Sequence, residues 1–212
     1  MRRRLSSDDG FSLVELGVAL ALSGMVVGTL VSVFLSFSQN VGDSERRAEH
    51  QALSRELIAE IVVELRQAVR ANPNGDPVES VDSDQLVFYT TQVGSSEPVR
   101  TVYARTDCSA GICELWVTRY AVDTFASGVY TFLTTPREES FLLGGVLEDQ
   151  PLFYGIDWVG DPKVQVHIAS CGAPVACDFP LVGITLRSYP LNTSDGARQV
   201  LEIQEEVRIR NG

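Results

Sequence analysis

Glu15 is the one ionisable side chain in an otherwise apolar stretch that begins at Phe11 and meets no further charge until Asp43. As a helix, Phe11 to Phe37 would extend about 40 Å at about 1.5 Å per residue, more than the roughly 30 Å of a membrane's hydrocarbon core. An ionised carboxylate inside such a segment costs on the order of 3 kcal/mol and needs a cation beside it, so its position alone marks Glu15 as a functional residue. Before the run stand Arg2, Arg3, Arg4, Asp8, Asp9 and Gly10, and Glu15 is the fifth residue after that glycine.

The cysteines are the second reactive set. Cys108 and Cys113 enclose Ser-Ala-Gly-Ile, and Cys171 and Cys177 enclose Gly-Ala-Pro-Val-Ala. Two local disulfides are the simplest of the three pairings that four cysteines allow, and each would constrain a short loop by about 2 kcal/mol. A zinc site built from all four thiolates is the competing reading. Such sites usually hold two cysteines closer together than either pair here, and an oxidising compartment disfavours them. No metal and no cofactor is expected.

Little else in the chain suggests catalysis. His50 falls on the charged face of an amphipathic segment, and His167 alternates with Val166 and Ile168, so surface positions account for both. Asp82-Ser83-Asp84 and Asn192-Thr193-Ser194-Asp195-Gly196 are oxygen-rich enough for calcium, yet such runs more often bond their own backbone in turns. There is no nucleophile elbow, zinc-protease helix or phosphate-binding glycine loop. No catalytic residue is assigned, and an enzyme is not expected.

The elements that would position these residues follow from hydropathy. A chain of 212 residues with 44% hydrophobic content accommodates one membrane helix and one domain with a genuine core. Its formal charge of −11 becomes one unit more negative without the first ten residues, which carry three Arg against two Asp. Such a surface repels nucleic acid, and none is expected as a partner. Arg2 to Arg4 before the span, against Asp43 and Glu45 after it, favour a cytoplasmic amino terminus and a carboxy-terminal domain outside the cytoplasm.

Beyond Gly42-Asp43-Ser44, the positions Leu53, Leu57, Ile61, Leu65 and Val69 recur every four residues, joined by Ile58 and Val62. This predicts an amphipathic helix packed on a domain and stopped by Asn72-Pro73-Asn74-Gly75. After Pro73 the period changes to two. Strands are predicted at 85–91, 100–105, 114–120, 152–158, 163–169, 181–188 and 200–210. An antiparallel sheet laid on the helix would bury Val164, Val166, Ile168, Leu201, Ile203, Val207 and Ile209, with Glu205 interrupting the last alternation. The fold class is therefore α+β.

The Gly10–Phe11 junction, Glu15 and the uninterrupted apolar run resemble the processing site of type IV prepilins and type II secretion pseudopilins. A signal peptide has a shorter apolar run and a small-x-small boundary on its far side, and a plain anchor has no use for Glu15. The order of the later segments resembles W-type minor pilins and J-type minor pseudopilins: Leu-Val-Phe-Tyr-Thr, Leu-Trp-Val-Thr-Arg, Phe-Leu-Leu-Gly-Gly-Val and a closing Glu-Val-Arg-Ile-Arg-Asn. Unlike many major pilins, the chain has no proline before Pro73.

The resemblance implies a leader at 1–10, a membrane and filament-core helix half at 11–38, an amphipathic half at 39–72 and a β head at 73–212. It implies cleavage by a prepilin peptidase after Gly10, N-methylation of Phe11, and pairing of Glu15 with a neighbour's terminal ammonium during assembly. The expected partners are other pilins or pseudopilins, the peptidase and the inner membrane, with a filament in the periplasm or outside the cell as the destination. The alternative from another functional class is a binding module displayed on such a filament, an adhesin or a tip subunit contacting DNA or substrate.

Overall fold

Residues 12–73, 75–91, 96–159, 164–172, 177, 179–191 and 199–209 are described by the computed structural model. Among the described residues there is one helix, α1, which runs Leu13–Arg66 without interruption. Gly42-Asp43-Ser44 changes the polarity of the helix and does not break it, in keeping with the absence of proline. The helix ends earlier than the Asn72-Pro73 stop because the backbone finds other partners. Gln67 and Ala68 amides turn back onto the last carbonyls of α1, and the Val69 amide donates to Tyr89 O at 2.8 Å.

By contacts the chain divides into Met1–Glu45 and Arg46–Gly212. In the first unit every described residue from Ser12 to Val41 is exposed. The apolar part of α1 is long and apolar enough to cross a membrane, with a mean hydropathy of 2.3 over its best window.

The second unit is an α+β head. Its strands are β1 (Val78–Val81), β2 (Gln85–Thr91), β3 (Pro98–Ser109), β4 (Ile112–Tyr120), β5 (Val122–Ala126), β6 (Val129–Phe132), β7 (Glu138–Leu147), β8 (Phe153–Val159), β9 (Val164–Ile168), β10 (Leu181–Ser188) and β11 (Leu201–Arg208). A nine-stranded antiparallel sheet has the order β1-β2-β3-β4-β7-β10-β8-β9, with β11 on the remaining edge of β10, and β5–β6 form a separate hairpin. Strand β10 shares one side between β8, at Leu181–Ile184, and β7, at Ser188. The sheet curls until its ends meet, where Val81 of β1 and Cys171 beyond β9 exchange backbone hydrogen bonds of 3.2 and 2.7 Å.

The core lies between α1 and the inner face of this sheet. Leu57, Ile58, Ile61, Val62 and Leu65 join Leu86, Phe88, Tyr103, Leu115, Phe153, Ile184 and Leu186 in one apolar cluster. The stripe is shorter than its periodicity suggests. Leu53 is 50% exposed, its place facing the sheet is taken by fully buried Ser54, and Val69 lies past the helix. In β9, an outer strand, Val166 is exposed whereas Ile168 packs on the core. Val207 and Ile209 are buried as the alternation requires.

Candidate functional site

Ser12 opens α1. Its carbonyl accepts the Leu16 amide at 3.0 Å, and its hydroxyl accepts the Val14 amide at 3.3 Å. Ser12 is therefore the cap and Glu15 the third helical residue, a Ser-x-x-Glu pattern readable in the sequence and not drawn from it. In the first turn a carboxylate is also favoured by the helix dipole. Among the described residues, however, Glu15 has no hydrogen-bond or ion-pair partner, and its apolar surroundings supply none: Leu13, Val14, Leu16 and Val18 are 54–87% exposed. Gly10 and Phe11, the expected cleavage and methylation positions, lie outside the described residues, as does the expected leader at 1–10.

The head holds its part of α1 with polar contacts around the apolar stripe. Glu64 accepts from the Tyr103 hydroxyl at 3.0 Å and from Arg119 at 2.6 Å. Arg119 also lies 3.9 Å from Glu60 and 3.5 Å from Glu138. Burial raises the Tyr103 hydroxyl well above its ordinary range, and the Glu64 charge raises it further. His50 faces the sheet, not the charged exterior: its Nε2 lies 3.0 Å from the hydroxyl of fully buried Ser188. Burial lowers the His50 pKa below its ordinary value of 6.5. The periodicity assigned His50 to the wrong side because it took Leu53 as the stripe's start.

The cysteines pair as the sequence suggests, Cys108 with Cys113 and Cys171 with Cys177. Cys108, Cys113 and Glu148 bring their ligand atoms within 4.8 Å of one another, but sulfurs joined in a disulfide are not thiolates and offer zinc no charge. The first bridge spans the β3–β4 hairpin. The second stands at the seam of the curled sheet, with Cys177 only 5% exposed in the core.

The Asp82-Ser83-Asp84 loop is a turn bonding its own backbone. Asp82 Oδ1 accepts the Asp84 and Gln85 amides at 2.8 and 2.7 Å, and Asp84 pairs with Arg105. Burial would raise the Asp84 carboxyl, but hydrogen bonds from Arg105 and Ser83 and the Arg105 charge hold it below its ordinary value. The 192–196 loop lies outside the described residues. On the outer face of β1–β3, Glu79 takes two bonds from Arg100, at 2.6 and 2.9 Å, and one from the Tyr89 hydroxyl at 2.8 Å. Burial opposes its ionisation, and these bonds with the Arg100 charge outweigh burial and lower its pKa. These groups thus find partners within the head itself.

These observations define a class of architecture, an exposed apolar helix half followed by a disulfide-bonded α+β head. The chain matches no protein-family model, no curated protein and no solved structure.

Proposed function

We propose that this chain is a minor pilin or pseudopilin, a structural subunit of a type IV pilus or type II secretion-like filament. The observation that carries the reading is Glu15: one carboxylate in the first turn of an exposed apolar helix, with no counter-ion among the described residues. A buried charge without a partner is costly, and the cost falls sharply when a second chain brings a cation. The terminal ammonium of a neighbouring subunit, created by cleavage after Gly10 and methylated on Phe11, is such a cation. Membrane insertion through the apolar half of α1 places the head outside the cytoplasm. Its work there is assembly, with other pilins and the prepilin peptidase as partners, rather than catalysis.

Intact-mass analysis of the membrane-inserted chain tests the processing step. The expected product begins at Phe11 and carries one extra methyl group, and a retained leader or a cut near Ser38 would refute it. Glu15→Ala should insert into the membrane as well as the parent chain and be depleted from sheared filaments. Recovery there at the parent level would remove the pairing role.

A further inference from the structure

The outer face of the head carries a recess that the filament reading does not use. It is built where β8, β9, β10 and β11 lie side by side. Gly183 of β10 stands opposite Tyr154 of β8, and the tyrosine ring lies across it: a Cβ at 183 would sit 2.2 Å from a ring carbon. The missing side chain thus lets the ring lie low on the sheet. The ring is held there through its hydroxyl. Gln204 Nε2 donates to the Tyr154 hydroxyl at 2.9 Å, and Thr185 Oγ1 lies 3.4 Å from it. His167 of β9 stacks on the ring at 4.6 Å between centroids. Further along, Gln165 of β9 reaches Glu206 of β11 at 3.2 Å.

The resulting cavity of about 230 Å³ is lined by Tyr154, His167, Thr185, Glu202, Gln204 and the Gln150–Pro151 segment, among others. We infer that it is a binding subsite for a single uncharged sugar ring. Drug-sized ligands occupy roughly 300 to 1,000 Å³, so the volume suits one ring rather than a chain. The lining supplies two amides, two hydroxyls, an imidazole and a carboxylate from four strands and a loop, a set that can both donate to and accept from neighbouring hydroxyls. Glu202 is the lining carboxylate, and Arg187 lies 3.3 Å from it, so the recess does not demand a cationic ligand. His167 and Gln204 are exposed while Tyr154 is 6% exposed. The ligand would therefore touch the imidazole and the amide, with the tyrosine fixing both.

The inference does not depend on filament assembly. Saturation-transfer NMR on the full chain in a zwitterionic, sugar-free detergent tests it, with N-acetylglucosamine, galactose and N-acetyl-lysine amide as probes. The expected result is saturable transfer to at least one of the two sugars, with Kd on the order of 1 mM. Binding should weaken at least fivefold in both Gln204→Ala and His167→Ala, whose exposed side chains can be removed without touching the core, and should be unchanged in Thr124→Val on the β5–β6 hairpin. Absence of transfer to both sugars would overturn the inference. So would transfer that survives both substitutions, or binding confined to the lysine derivative and abolished by salt.

Discussion

Removing the head's part of α1 should abolish the fold of the sheet. Leu57, Ile58, Ile61, Val62 and Leu65 are each 0–9% exposed against the sheet. At about 1.5 to 3 kcal/mol for each fully buried aliphatic side chain, the stripe contributes on the order of 10 kcal/mol. That is comparable with the entire stability of an ordinary domain, about 5 to 15 kcal/mol. The same cut strips Tyr103 and Arg119 of Glu64 and opens Phe88, Leu115 and Phe153 to water. A fragment comprising 46–212, made under oxidising conditions, should unfold in one cooperative transition and sediment as a monomer, whereas 73–212 should aggregate. Within the longer fragment, Ile61→Ala should cost about 2 to 5 kcal/mol, lowering Tm by on the order of 10 °C. Val63→Ala, at a half-exposed position of the same helix, should change stability by less than about 0.5 kcal/mol. A cooperative, monomeric 73–212 fragment would refute the reasoning, because the sheet would then bury its inner face without the helix.

Ser54→Ala should raise Tm in thermal melts, since the buried hydroxyl has no hydrogen-bond partner among the described residues and alanine is the better helix former; a drop would mean that the hydroxyl has one. Replacing Cys171 and Cys177 by alanine should cost about 2 kcal/mol for the lost loop constraint and more because Cys177 lies in the main apolar cluster and Cys171 packs on it, whereas Cys113, though as buried, is outside that cluster, so denaturant titration should show a larger loss than the same change at Cys108 and Cys113. Stability should fall in two acid steps. The lowered His50 pKa contributes stability that is present above 6.5 and lost as pH falls from there toward the folded value, and the lowered Glu79 and Asp84 contribute stability lost below about 4.5 and 3.8. Melting profiles of His50→Gln should lack the upper step alone, and an unchanged upper step would assign it elsewhere.

Strands bounded by clear turn residues and alternating cleanly are legible in the sequence: β2 and β10 have the predicted limits. The cysteine pairs are legible because short loops leave one simple connection. The β5–β6 hairpin is not, because none of its strand residues is buried: β5 is exposed beyond Val122, and β6 alternates only between exposed and half-buried positions. In β7, Gly144 and Gly145 disguise a strand as a turn. Their lack of side chains serves packing instead, since Gly145 has φ +77° and a Cβ there would lie 2.2 Å from Tyr189 O. The end of α1 was obscured by a backbone bond to Tyr89, a partner that no local pattern announces. Around Glu15, the exposed apolar helix and the lone charge were readable from composition, and the capping role of Ser12 lay in a motif next to a louder one.

The meeting of Val81 with Cys171 has a consequence for the order in which the head forms. Most of its ladders join neighbours in sequence through short hairpins, whereas this contact closes a loop running through nearly every strand of the sheet. Loop-closure entropy makes such a contact slow to form and late. Until it forms, β1 offers a bare row of amides and carbonyls to any passing chain. The Cys171–Cys177 bridge can form early, because its own loop is short, and it restrains the capping segment before that segment is needed. A thiol oxidant supplied during synthesis would thereby shorten the interval in which the nascent head is open to mispairing, and would act on folding yield more than on the stability of the finished protein.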